Sequence, residues 1–240
     1  MNKIDCVITR YNEHIDWIEY INPMVDNFYI YNKGPNNDVF KNLIPDYSIQ
    51  KKITNIHLDN IGRIDHTIAY HILENWESLS DITIFLPASI LMCQRKGGYL
   101  NGIRRNIVKL KEKYNGFYSP RFHKVDIDYN YSIDDYRAEG ACNRNNNKFI
   151  KSEYPDFVQW KSAIIDQRPI KYLAMRGMFA VCKENIQNVD KKIYERLLES
   201  LSVGDNIENG HFAERIWAHL FVVEKKEVEE LKLKNGCIIS

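Results

Sequence analysis

Four short apolar runs, the first three closing on a cluster of polar residues, constrain this chain more than any other feature: Ile4 to Thr9 (IDCVIT), Asn27 to Tyr31 (NFYIY), roughly Ile53 to Leu58, and Ile82 to Leu86 (ITIFL). Runs of this length suit strands, and the strands of a parallel sheet read as near-continuous apolar segments because both faces are covered. Between the third and fourth, Ile64, Ile68, Ile72, Trp76 and Leu79 recur at helical spacing and predict a helix over 64–79. Asn12 is placed to cap a short helix through Trp17 and Ile21, and NKGPNN after the second run is a turn by composition. Strand alternating with helix specifies βαβ units, so the expected class is α/β, with a mostly parallel sheet flanked by helices.

The second half continues with a helix over about 103–113 and then a stretch from Asn115 to Asp156 rich in Asn, Asp, Tyr and Arg, without a sustained period. Long irregular stretches of this kind serve as binding loops, and the tyrosines argue for order. Tyr172 to Cys182 (YLAMRGMFAVC) predicts a strand pair or one bent strand with Gly177 at the bend. Helices are expected from Lys183 to Leu201 and from Gly210 to Val223, followed by a charged tail over about 224–240. No repeat or linker divides the 240 residues, and 44% apolar composition supports a sizeable core, so one domain over 1–240 is expected.

Charge excludes some functions. The 33 basic residues against 32 acidic ones leave a net charge of +1, too little for a field that holds nucleic acid or an anionic membrane, so any anion site is local. No run approaches the roughly 20 apolar residues of a membrane span, and MNKIDCVITRYNE lacks an h-region and cleavage site, which gives a cytoplasmic expectation. The five cysteines are scattered, with no C-x-x-C, and read as free thiols. The abundance of Asn, Ile, Lys and Tyr is that of an AT-rich coding sequence.

In an open α/β sheet, ligands bind beyond the carboxyl ends of the strands. Polar residues gather there after three successive runs: Thr9, Arg10, Tyr11, Asn12 and Glu13; Asn32, Lys33 and Gly34; Asp59, Asn60, Gly62, Arg63 and Asp65. Singly, each is explained by a helix cap or a solvated loop; together they offer amides and carboxylates for ribose and base, and cations for a diphosphate. In the last helix, Phe212, Ile216 and Leu220 form an apolar side, while His211, Glu214, Arg215 and Ala218 share a second face with Glu208 just before it. Such a group supplies a general base, a metal ligand if another carboxylate converges, or only a solvated face. His66 and His71, five apart, do not share a helix face. Asp126-Ile127-Asp128 is a D-x-D triplet of the sort that arises readily by chance, and Asp134-Asp135 reads as a turn. No dinucleotide, P-loop or nucleophile-elbow motif occurs.

The runs VITRYNEHIDWI, YNKG, NIGRIDHTIAYHI, ITIFL, RGMFAV, YERLLESL and ENGHFAERIWAHLF, from Val7 to Phe221, resemble a glycosyltransferase-like family long catalogued as a domain of unknown function, with members in bacteria, fungi and large DNA viruses. The resemblance implies a GT-A-like, Rossmann-related fold and the transfer of a sugar from a nucleotide-sugar donor to a glycan or other hydroxyl acceptor. By it, Arg10, Asn12, Asn32, Lys33, Asn60, Gly62, Arg63 and Tyr70 line the donor pocket. Glu208, Glu214 and His211 are the catalytic candidates, and Arg176, Arg215 and Trp217 fall on the acceptor side with the 115–156 segment. GT-A enzymes place a metal-binding D-x-D after the strand that corresponds to ITIFL, whereas this chain continues Pro87-Ala88-Ser89. The need for Mn²⁺ or Mg²⁺ is therefore open, with Asp126, Asp128 and His211 as the metal candidates; without a metal the diphosphate falls to Arg10, Lys33 and Arg63. Two alternatives stand beside transfer: a binding module for nucleotide or glycan that has lost catalysis, and a metal-dependent hydrolase of a nucleotide or sugar phosphate using His211, Glu214 and Asp126 or Asp128.

Overall fold

A computed structural model describes residues 2–35, 47–91, 96–126, 128–133 and 149–222. The four apolar runs form β1 (Ile4–Arg10), β2 (Asn27–Asn32), β3 (Ile53–His57) and β4 (Ile82–Pro87), all parallel, in the spatial order β3-β2-β1-β4. Alternation across β1 explains why both faces must be covered: Cys6 and Ile8 point into one apolar cluster and Val7 into the other. In β4 every residue from Ile82 to Leu86 is buried, and each of its apolar side chains contributes about 1.5–3 kcal/mol by leaving water. Cys6 and Cys182 are free and buried, packing as small apolar side chains.

The winding of the chain reverses beside β1. Helices α1 (Ile18–Ile21) and α2 (Tyr47–Gln50), which flank the β1-to-β2 and β2-to-β3 passages, bury Ile18, Ile21 and Ile49 against the face of Cys6 and Ile8. Helix α3 (Arg63–Glu74), between β3 and β4, buries Ile68, Ala69 and Ile72 against the opposite face. Strand order and helix side thus change together between β1 and β4, the switch point at which open α/β sheets bind ligands.

The sheet is completed by two antiparallel strands, β5 (Phe117–Tyr118) and β8 (Phe179–Cys182), in the order β4-β8-β5. Strand β6 (Phe122–Lys124) pairs with β7 (Tyr172–Ala174) in a separate small sheet. The apolar run 172–182 is therefore two strands in two sheets, divided by a 3₁₀ turn over Met175–Gly177. Helices α4 (Lys96–Asn106) and α5 (Leu110–Tyr114) bracket a 3₁₀ turn over Ile107–Lys109, and β5 and β6 lie within the stretch expected to be irregular.

Several helices are shorter than their periodicity suggests. Helix α3 stops at Glu74 because Asn75 turns its amide onto the His71 carbonyl at 2.9 Å. The 183–201 stretch is two helices, α7 (Lys183–Gln187) and α8 (Lys191–Leu201), after α6 (Phe157–Ile164); the Asp190 side chain caps α8 by accepting from Lys192 N–H. The last stretch is likewise α9 (Glu208–Ala213) and α10 (Trp217–Phe221), joined by a turn over 214–216. Asn12 is exposed and caps nothing, since α1 begins only at Ile18, after Trp17. Asp134-Asp135 and the tail over 224–240 lie outside the described residues, and no helix among the described residues is long and apolar enough to cross a membrane.

Candidate functional site

At the carboxyl edge of the parallel strands the register sets Arg10 beside Asn32 and Asn32 beside His57. Arg10 is 3% exposed and turned inward: Nε donates to Glu13 O at 2.8 Å and Nη1 to Asn32 Oδ1 at 2.9 Å. Lys33 is 5% exposed, and its Nζ donates to Ile61 O at 2.5 Å and Arg63 O at 2.7 Å. Arg10 ties the loop after β1 to β2, and Lys33 ties the loop after β2 to the start of α3. Burial pushes the Lys33 ammonium down to about 7, against the opposing pull of Asp65. Both cations are thus spent on joining the strand ends.

Helix α3 begins on two successive left-handed residues, Gly62 (φ 58°) and Arg63 (φ 56°). Gly62 has no room for a side chain, since a Cβ would lie 2.5 Å from Leu201 O. Arg63 adopts the same conformation at a cost of about 1 kcal/mol, a strain that surrounding structure must hold. A second left-handed pair, Arg176 (φ 71°) and Gly177 (φ 58°), lies against it, a Cβ on Gly177 falling 2.8 Å from Ile64 Cδ1. The Tyr70 ring stacks on His66 with centroids 6.2 Å apart. The His66 imidazole is held down to about 4 by burial and then by Lys33, and its buried Nδ1 has no hydrogen-bond partner.

The late block meets this edge. Arg63 Nη1 donates to His211 Nε2 at 2.7 Å, so Nε2 carries the lone pair and Nδ1 the hydrogen of a neutral ring. Burial, with Arg63 and Arg215 nearby, pushes this imidazole down to about 3. Glu214 Oε1 accepts from the backbone N–H of Arg176 at 2.6 Å, and its Oε2 lies 3.7 Å from Arg215 Nη1. Arg215 is buried: Nε donates to Tyr129 Oη at 3.0 Å, Nη1 to His211 O at 2.5 Å, and the guanidinium lies 3.5 Å from the centre of the Tyr131 ring. Asp65, wholly buried, accepts from Trp217 Nε1 at 2.7 Å. Its carboxyl is raised to about 7, by burial first and then by Glu214, while the Trp217 bond and Arg63 oppose the rise.

The chain therefore brings Asn32, Lys33, Gly62, Arg63, His211, Glu214 and Arg215 to one edge, with Arg10 behind them and Tyr70 on the adjoining face of α3. Asn12 and Asn60 stand exposed at the rim. Glu208 is set apart in kind: its two carboxylate oxygens accept from the backbone N–H groups of Ile133 (3.4 Å) and Ser152 (3.0 Å), anchoring both ends of the 133–152 segment. Trp217 is 0% exposed and stacks on Phe221, so it belongs to the core and does not face an acceptor. Asp65 gained its place here through a tryptophan 152 residues away, which no local motif signals.

A divalent-cation site is poorly supported by the donors present. Pro87-Ala88-Ser89 offers no carboxylate, Asp126 and Asp128 are exposed after β6, and the His211 lone pair faces Arg63. No group of three His, Cys, Asp or Glu side chains suited to a metal occurs among the described residues.

Titration of Asp65 is measurable. Its folded pKa, raised to about 7 from 3.8, means that the folded protein holds a proton that the unfolded chain releases between those values. Its contribution to stability is full at low pH and declines as pH rises from about 4 to 7. Asp65→Asn keeps an acceptor for Trp217 and removes the titration. The difference between wild-type and variant melting temperatures should widen in the variant's favour across that window; parallel curves would contradict the assignment.

Together the fold and the site define an α/β protein with a mostly parallel sheet, at whose strand ends arginines, a neutral histidine and a partly exposed glutamate gather. No protein-family model matches the chain, and a search of curated proteins finds no relative of it.

Proposed function

We propose that this chain is a GT-A-type glycosyltransferase that moves a sugar from a nucleotide-sugar donor to a hydroxyl acceptor. The observation that supports the proposal is the convergence of Glu214 with the Arg176 backbone and of Arg63 with His211 beyond the strand ends of a sheet whose winding reverses between β1 and β4. Transfer breaks the bond between sugar C1 and the diphosphate and forms one from C1 to the acceptor oxygen. The hydroxyl proton passes to Glu214 and the diphosphate leaves with the bonding pair. Glu214 fits the base because its Oε1 is held by a backbone N–H while the side chain keeps 22% of its surface in solvent. Glu208 serves as an anchor in this scheme. Tyr70, Asn60 and Asn12 are the groups offered to the nucleoside, while Asn32, fully buried, holds Arg10 in place. No step is assigned to Mn²⁺ or Mg²⁺, because no group of three His, Cys, Asp or Glu side chains gathers at the edge among the described residues. Stabilisation of the protein by one class of nucleotide sugar, read as a thermal shift, tests the proposal.

A further inference from the structure

We propose that the outer face of the α4–α5 segment docks on an anionic lipid surface, independently of the transferase proposal. The near-neutral total of the chain hides a segregation of charge. Residues 95–124 hold nine Lys and Arg and one Glu, a local balance of +8, which leaves 24 basic against 31 acidic residues, or −7, in the rest of the chain. The field that the whole molecule lacks is therefore present along one stretch, and it reaches about 10 Å from it at moderate salt.

Packing turns that charge outward. Leu100, Ile103, Ile107 and Leu110 are buried in the apolar cluster that holds Cys6 and Ile8. Between them the exposed residues fall in pairs one turn apart: Arg104 and Arg105, Val108 and Lys109, Glu112 and Lys113. The Arg104 guanidinium lies 4.5 Å over the Tyr20 ring, whose hydroxyl donates to Asn101 Oδ1, so the face continues onto α1. Arg121 Nη1 donates to Tyr99 Oη at 3.2 Å and brings a further cation beside α4. Glu112 in the last pair and Glu19 next to Tyr20 are also exposed, and the cations outnumber them.

Val108 selects the kind of partner. At 73% exposure it is the most exposed large apolar side chain among the described residues, and it sits within one turn of Arg104, Arg105 and Lys109. Tyr20, under Arg104, is 40% exposed. Cations that flank an aliphatic residue and a tyrosine suit a membrane interface, where the charges meet anionic headgroups and the apolar groups enter the headgroup layer. A nucleic acid would use the cations and the tyrosine and gain nothing from the valine.

The test is co-sedimentation of the full chain with vesicles of phosphatidylcholine alone and of equal parts phosphatidylcholine and phosphatidylserine. Wild-type protein should sediment with the anionic vesicles, less so as salt is raised, and not with the neutral ones. Arg105→Gln combined with Lys109→Gln should lower partition onto the anionic vesicles by about 10-fold or more. Val108→Asn, which changes no charge, should lower it several-fold. Lys191→Gln combined with Lys192→Gln removes the same charge from exposed positions of α8 and should leave partition near that of the wild type. All of these positions are exposed, so melting temperatures should stay close to wild type. No binding to anionic vesicles, equal binding to neutral ones, or an equal loss from the α8 pair would overturn the docking face. A wild type that ignores both vesicles but binds RNA through Arg105 and Lys109 would overturn it in favour of a nucleic-acid surface.

Discussion

Glu214→Gln is expected to lower sugar transfer by about 10²-fold or more while leaving the affinity for the donor within a few-fold of wild type. Glutamine keeps an oxygen for the Arg176 N–H that Glu214 now satisfies at 2.6 Å, so the turn that carries Arg176 should persist and only the proton acceptor is lost. Glu208 supplies the contrast. Its carboxylate holds two backbone N–H groups, and charged acceptors of this kind are worth about 1.5–3 kcal/mol each. Glu208→Ala should therefore lower the melting temperature clearly while folded protein retains its turnover. Steady-state kinetics with melting curves separate the two residues. Full activity in Glu214→Gln, or lost turnover in a fully stable Glu208→Ala, would contradict these roles.

Trp217→Ala should be among the most destabilising single changes, at about 3–5 kcal/mol, because a fully buried indole is deleted from its stack with Phe221 and its tilted contact with Phe179. For a chain of this length that is a fall of roughly 10 °C in melting temperature. Trp217→Phe keeps most of the packing but leaves buried Asp65 without its 2.7 Å donor, a loss of about 1–3 kcal/mol. In neither variant should the acceptor KM of the folded fraction change. A raised acceptor KM at unchanged stability would return Trp217 to the acceptor surface.

The class of fold was legible in the sequence because it depends on local periodicity. The runs IDCVIT, NFYIY and ITIFL are strands within one or two residues of their expected bounds, and Ile68 and Ile72 of the Ile64 to Ile72 stripe are buried on one helix face, with Ile64 partly buried beside them. Breaks inside long apolar stretches were not legible. Phe212, Ile216 and Leu220 are all buried and keep helical spacing straight through the 214–216 turn, so periodicity conceals it. The run 172–182 stays apolar on both sides of Arg176, and only the adjoining Gly177 hints that the chain leaves one sheet for another.

At the site, residue types were readable and directions were not. Arg10, Lys33 and Arg63 look alike as cations after strands, yet two turn inward to hold carbonyls and an amide while the third reaches His211. Those outcomes depend on partners 22 to 148 residues away. Arg176 gained its place the same way, from a glutamate 38 residues later.

The most direct test of sugar-donor binding is a thermal-shift panel of the full chain against UDP, GDP, CMP and dTDP and their sugars, each with Mn²⁺ and with a chelator. At about 100 times its Kd, a true donor adds about 2.7 kcal/mol, which for a protein of this size is a rise of roughly 5–10 °C. Stabilisation by one nucleotide family, undiminished by the chelator, is the predicted result; no shift with any member, with or without metal, would contradict the proposal that this chain binds a nucleotide sugar.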